Sequence, residues 1–286
     1  MKNNLKVMMI GAHPDDVEFE GAGLALKFLK AGAEVVFLVL CNGSKGHHIM
    51  PPQETIKVRA AEAAAVKEVL GLSGYKIWNV DDCELEATLE NRRRLIRDIR
   101  EFTPDIIIGH RTNDYHADHR AAGQLLQDAS YMLIVPHECP DTCAMRKMPI
   151  IMYFEDRFTD PPFRADIVVD VTAEMNLKTS AADKNVSQVY EWLPYSRGET
   201  APIDSSERIR WLWDGITESS TDDEVLDVKH NRIPARAAKT AARFRKELVE
   251  RYGADKGNKI RFAEAFQMCE YGTTLSIQEL NELFPF

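Results

Sequence analysis

Short apolar runs recur from Leu5 to about His119 at intervals that leave room for one helix between each pair, and this alternation restricts the fold more than any other feature. Residues 5–11, 34–41, 76–80 and 105–109 are strand-sized and rich in Val, Ile, Leu, Met and Phe. Between them lie helical segments: 21–30, with Leu24, Phe28 and Leu29 on one stripe; 53–70, alanine-rich and closed by Gly71; and 89–102, basic and amphipathic. Near-continuous apolar strands belong to sheets buried on both faces, and strands separated by helices pair in parallel. Thr103-Pro104 breaks the third helix, because the residue before a proline is pushed out of the helical region. A further helix is expected from 118 to 131.

The expected class is therefore α/β, a Rossmann-like and mostly parallel sheet flanked by helices. Downstream the pattern weakens. Residues 166–171 read as a strand, with Thr172 capping a helix over 173–190. From 192 to 256 the chain turns polar, broken by Pro194, Pro202 and Pro234, with mixed-charge helical character over 233–252. We read one domain over 1–286: a core of about 5–190, a C-terminal helical elaboration of about 191–256, and a return over 257–286.

Charge and length exclude several partners. The 286 residues carry 36 Lys plus Arg against 45 Asp plus Glu, a net charge of −9, which does not suit a general phosphate-backbone binder. The longest apolar run, 35–41, falls well short of the ~20 residues a membrane helix needs. The N-terminal run 7–12 closes on His13-Pro14-Asp15-Asp16 instead of a signal-cleavage pattern. The expectation is a cytoplasmic protein without nucleic-acid or membrane partners. Five cysteines (Cys41, Cys83, Cys139, Cys143, Cys269) are an odd count at no framework spacing, so a disulfide-stapled fold is not expected. Cys139 and Cys143 lack the second pair that a zinc cluster would use.

Ligands of open α/β sheets bind beyond the carboxyl ends of the strands. Two polar clusters fall there. His13-Pro14-Asp15-Asp16-Val17-Glu18 follows the first strand, and Asp114-Tyr115-His116-Ala117-Asp118-His119 follows the 105–109 strand. Either alone would pass for a turn with a side-chain hydrogen bond. Together they offer imidazole nitrogen and carboxylate oxygen, which suit a divalent ion held by three protein ligands with one position open. Two ligands from one cluster and one from the other would meet that count.

These motifs resemble the PIG-L/LmbE family of metal-dependent N-acetylglucosaminyl deacetylases. The resemblance rests on Ala12-His13-Pro14-Asp15-Asp16-Val17-Glu18 and on His116-Ala117-Asp118-His119. Between them it extends to Cys41-Asn42-Gly43-Ser44-Lys45-Gly46, Arg59-x-x-Glu62 before Leu70-Gly71, and Pro104-Asp105. Weaker matches are Lys178 with Ser187-Gln188, and Ala263-Glu264-Ala265-Phe266. It implies that His13, Asp16 and His119 hold Zn²⁺ or another divalent transition metal. Asp15 would be the general base, His116 would assist the departing amine with Asp118 as its carboxylate partner, and Arg59 would contact substrate. The implied reaction removes an N-acetyl group from an N-acetylglucosamine-containing small molecule or glycoconjugate, and the implied assembly is a homo-trimer or homo-hexamer. Two other functions fit the class: a metal-dependent amidase acting on a non-sugar N-acyl or carbamoyl group, and a non-catalytic sugar-binding protein of the same fold. The complete set of His13, Asp15, Asp16, His116 and His119 argues against the last.

The residues themselves agree with this division. Consecutive Asp15 and Asp16 cannot point the same way, so one can face an ion and the other its bound water. His116 and His119, three apart at a helix start, share a face. Asn185 departs from the family, in which a histidine often stands two positions before the Ser-Gln pair. His47 and His48 lie on the loop after the second strand, where they could contact substrate or form a lid. Tyr115 adjoins His116, and His110 is expected at the core or the pocket rim. His137 and His230 lack motif context. Trp192, Trp211 and Trp213 could stack on sugar rings, though packing is the better expectation. Arg92, Arg93, Arg94, Arg97 and Arg100 read as a solvated helix face. Gly21-Ala22-Gly23 lacks the rest of a dinucleotide fingerprint.

Overall fold

Seven strands form one sheet in the computed structural model, which describes residues 5–217 and 219–286. They are β1 (Lys6–Gly11), β2 (Glu34–Val39), β3 (Gly74–Ile77), β4 (Ile106–Gly109), β5 (Ile150–Phe154), β6 (Ile167–Asp170) and β7 (Ala263–Met268). Their order is β3-β2-β1-β4-β5-β7-β6. The first five pair in parallel, whereas β7 runs antiparallel between β5 and β6. The crossovers carry α1 (Asp16–Glu20), α2 (Ala22–Lys30), α3 (Pro52–Leu70), α4 (Leu89–Phe102) and α5 (Ala117–Ser130).

Strand side chains alternate between the two faces, and the core divides accordingly. Val7, Met9, Val35, Phe37, Ile106 and Ile108 face α2 and α3, where Leu24, Phe28, Val66 and Leu70 cover them. Met8, Ile10, Leu38 and Ile107 face the other way, against Leu95, Ile96 and Ile99 of α4 and Leu125 and Leu126 of α5. Because both faces are buried, the strands show no polar alternation.

Three parts of the sequence reading change. The helix expected over 173–190 divides into α6 (Met175–Ala182) and a π-helical stretch, Ser187–Trp192, that runs into α7 (Leu193–Arg197). Pro194 has no N–H to give the carbonyl four residues back, and the widened turn accommodates that loss. Strands β5 and β7 were not anticipated as strands. Arg100 does not belong to a solvated face: it is buried and donates to the carbonyls of Met132, Leu133, Val135, Glu138 and Cys139. Arg93 and Arg97 do sit at the surface, paired with Glu138 and Asp141. The elaboration is helical, with α8 (Ser205–Leu212), α9 (Asp222–Asp227), α10 (Ile233–Arg243) and α11 (Arg245–Tyr252).

Strand order reverses between β1 and β4, since β2 and β3 lie to one side and β5 to the other. That switch point opens a crevice at the carboxyl ends of the two strands. Gly123 of α5 supports it from behind: a Cβ there would come within 2.5 Å of the Arg111 carbonyl oxygen and 2.9 Å of that of His110. Gly123→Ala is expected to cost about 1–3 kcal/mol by overpacking and to displace the segment after β4. A thermal melt with an unchanged midpoint would refute this.

Candidate active site

Both polar clusters meet at the switch point. His13, Asp15 and Asp16 follow β1, while His110, Asp114, His116 and His119 follow β4, and all seven line one cavity of about 520 Å³. Asp118 stands just behind it, fully buried.

Asp16 is the hub. Its Oδ2 accepts from the backbone N–H of Ala12 (2.9 Å) and of His13 (2.7 Å), which locks the turn after β1. His13 Nδ1 lies 3.6 Å from Oδ2, and His119 Nε2 lies 3.4 Å from Oδ1. Each of these histidines is held through its other ring nitrogen: His13 Nε2 by Asp118 (3.0 Å) and His119 Nδ1 by Asp114 (3.2 Å). Carboxylate on one nitrogen and an open face on the other is how metal-ligating histidines are oriented. Of the four groups among the described residues whose ligand atoms close to within 4.8 Å, two share His119: His13–His116–His119 and Asp16–His110–His119. The expected trio is thus spread over both groups and joined through Asp16.

The electrostatics point the same way. Burial opposes charging the imidazoles, yet Asp118 and Asp16 raise His13 to about 10, and Asp16 and Asp114 raise His119 to about 11. Burial also opposes ionising Asp16, but His119, His110 and His13 outweigh it and hold that carboxyl well below its usual range. The carboxylates demand positive charge at this spot. Nitrogen and oxygen donors, with three candidate ligands and an open cavity beside them, fit a divalent transition ion.

Asp118 differs from expectation. It accepts from Cys83 N–H (2.6 Å) and Leu85 N–H (3.3 Å) as well as facing His13, and lies 3.8 Å from His116. It orients His13, and His116 is held otherwise. His116 caps α5, its Nδ1 accepting the backbone N–H of Asp118 (3.1 Å). A nitrogen that accepts carries no proton, so the neutral ring bears its hydrogen on Nε2. Burial and the neighbouring rings of His13 and His119 hold His116 below its ordinary value, in keeping with that neutral form.

Asp15 carries a backbone φ of 126°, a region that side chains rarely adopt. The strain turns its buried carboxylate away from Asp16 and onto Arg59, whose Nη2 lies 2.9 Å from Oδ1. Burial pushes the Asp15 carboxyl up to about 8, with Arg59 opposing the rise. Arg59 is itself buried, 3.3 Å from the Gln188 side chain, so its contact is with Asp15 while it lines the cavity. Gly43, at φ 81°, makes room for it, since a Cβ there would meet Arg59 Cγ at 2.8 Å.

Asp114, named in the second cluster without a role of its own, and His110, expected only at the core or pocket rim, both belong to the site. His110 is buried, 3.2 Å from Asp16 and stacked on His119 with ring centroids 4.3 Å apart. The available signal was position alone: His110 immediately follows β4, and Asp114 opens the polar cluster a few residues beyond it. His47 bonds Glu191 (2.7 Å) and stacks on His48, which stacks in turn on Tyr195, so this loop packs on the π-helical segment. Trp192 lines the cavity, whereas Trp211 packs on Arg232 and Trp213 on Phe262. Tyr115 lines the mouth and is 74% exposed; Asn185 is buried and does not line it. At Gly23 the Glu264 carboxylate accepts from the start of α2, filling the place a dinucleotide phosphate would take.

Comparison with known proteins places this arrangement. Residues 8–130 match the family described as PIG-L, GlcNAc-PI de-N-acetylase. The chain is 29% identical over 203 residues to a diacetylchitobiose deacetylase of Thermococcus kodakarensis, covering 67% of this chain and 75% of that protein. It is 22% identical over 198 residues to a 4-oxalmesaconate hydratase of Pseudomonas putida, covering 66% and 76%. Among solved structures, the N,N'-diacetylchitobiose deacetylase of Pyrococcus horikoshii superposes with a TM-score of 0.68 at 20% identity, covering 94% of this chain and 85% of that one. The Pseudomonas putida 4-carboxy-2-hydroxymuconate hydratase gives 0.69 at 18% identity, covering 95% and 99%. Those two share the fold. Both histidine clusters lie inside residues 8–130, the segment that matches the PIG-L family.

Proposed function

We propose that this protein is a zinc-dependent hydrolase that removes the N-acetyl group from an N-acetylglucosamine-containing small molecule or glycoconjugate. The observation that carries the reading is the pair of carboxylate-held histidines around Asp16, beside a strained, buried Asp15 that faces the same cavity. His13, Asp16 and His119 would hold the ion. When bound, it would supply an acidified water and polarise the acetamide carbonyl.

The chain's own residues do the rest. Asp15, kept in place by Arg59, takes the proton of the attacking water and hands it to the amide nitrogen as the C–N bond breaks. Acetate and a free amine leave. His116 presents Nε2–H to the carbonyl oxygen as negative charge gathers there. For His116 to protonate the amine instead, its Nδ1 would have to give up the Asp118 N–H bond. Asp118 and Asp114 position the ligating rings. Asp118→Asn is expected to weaken zinc affinity about 10–100-fold, with activity restored by excess zinc. Metal competition against a chelator measures it, and unchanged affinity would remove Asp118 from that role.

The test is a panel of N-acetylglucosamine conjugates with zinc-loaded protein, read as equal amounts of acetate and primary amine. A second reading, water addition to a carbon–carbon double bond, draws on the likeness to the hydratase relative. Hydration of an unsaturated acid with no amine released would favour it. Amine release from non-sugar N-acyl compounds alone would favour a broader amidase.

A further inference from the structure

The outer wall of the cavity holds two arginines that form no ion pair among the described residues. Arg157 follows β5 and Arg197 ends α7; both line the cavity, and both are exposed at its mouth. The neighbouring cations are already matched: Arg236 by Glu20, Arg111 by Asp156, and Arg243 by Glu155. Among the described residues, Arg157 has a single side-chain partner, the neutral amide of Asn231 at 3.5 Å, and Arg197 has no ion pair. The chain as a whole carries a charge of −9, so this is a local excess against the general balance.

The two also crowd other cations. Arg157 sits below the usual arginine value through desolvation and then the charges of Arg243 and Arg236, with Glu155 and Glu20 opposing. Arg197 does so through desolvation, with Glu199 opposing and Arg236 and Arg232 adding to the effect. Arg236 feels Asp16 in turn, and Arg197 feels Tyr115, so this wall adjoins the proposed metal cluster on the Tyr115 side. Guanidinium forks that form no ion pair, stand near other cations and open to a cavity suit an anionic oxygen group.

We propose that Arg157 and Arg197 receive an anionic oxygen group, a carboxylate or a phosphate, carried by the substrate at the end away from the bond that breaks. This deepens the deacetylase reading and rests on it only for the nature of the reacting end. It makes an acidic conjugate of N-acetylglucosamine a better substrate than a neutral oligosaccharide.

Three substrates test it on the zinc-loaded full chain: methyl N-acetylglucosaminide, its carboxymethyl counterpart, and N-acetylglucosamine 1-phosphate. The expected result is a KM at least about tenfold lower for an anionic substrate than for the neutral one, narrowing as salt rises from about 0.05 to 0.5 M. The arm that gains more identifies carboxylate or phosphate. The double variant R157Q/R197Q should lose the preference and R157K/R197K should recover part of it, with thermal melts reporting folding. Equal KM values in the wild type, or a preference that survives in the folded glutamine double variant, would overturn the inference while leaving deacetylation intact. If no substrate turns over, the deacetylase reading fails, and calorimetry with the carboxymethyl glycoside and with inorganic phosphate decides this one. Saturable binding lost in R157Q/R197Q sustains it, and no binding ends it.

Discussion

Asp15→Asn is expected to lower kcat for deacetylation by about 10²–10⁴-fold, the range that a positioned general base contributes, while zinc content stays at the wild-type level. Asp15 and Asp16 are adjacent in sequence, yet the φ of 126° at Asp15 sends their carboxylates to different partners, Arg59 for one and His13, His110 and His119 for the other. An asparagine keeps the shape and an oxygen for Arg59 but cannot take a proton. The metal cluster should therefore persist while proton transfer is lost. Steady-state rates with parallel metal analysis separate the two. Activity near wild type in the asparagine variant would remove Asp15 from the mechanism, and loss of zinc together with activity would assign it to metal binding instead.

The same contrast shows what the sequence makes legible. The central strands and their crossover helices were readable because each is buried on both faces and uninterrupted by polar residues. So were the two histidine clusters, which stand immediately after β1 and β4. β5 and β7 escaped for different reasons. Ile150–Phe154 is short and isolated in a polar stretch, and β7 places Glu264 in the interior, where it answers Lys178 and the start of α2. An inward carboxylate with partners from residues far apart in sequence has no local signature. Arg100 is the mirror case: its helical spacing put it on a charged face, but carbonyls from the segment after α5 hold it inside.

At the site, chemistry was legible and pairing was not. Composition named the histidines and aspartates, but which carboxylate serves which imidazole depends on loops meeting across the β1–β4 crevice. Asp118 lies two residues from His116 and still turns to His13, 105 positions away, because the Cys83 and Leu85 N–H groups fix its carboxylate there. Asp114 takes His119.

Asp16→Asn should be the more damaging change of the two neighbours. Oδ2 of Asp16 already accepts two backbone N–H groups, so an asparagine would settle with its oxygen there and its NH₂ toward His119. A donor would then face the nitrogen that should share the ion, and the one anionic ligand of the trio would be gone. Removing an outer partner of a metal site typically costs up to about 100-fold in affinity, so loss of this inner one should exceed that. The purified variant is expected to carry little zinc and no measurable activity, and excess zinc should restore neither. Folding should also lose the contribution that ionised Asp16 makes in the metal-free protein. Its carboxyl is held below the unfolded value, so that contribution is present above the unfolded pKa and fades as pH falls through the folded one. An Asp16→Asn protein that retains stoichiometric zinc would instead place the ion with His13, His116 and His119, the all-histidine group that already gathers within 4.8 Å.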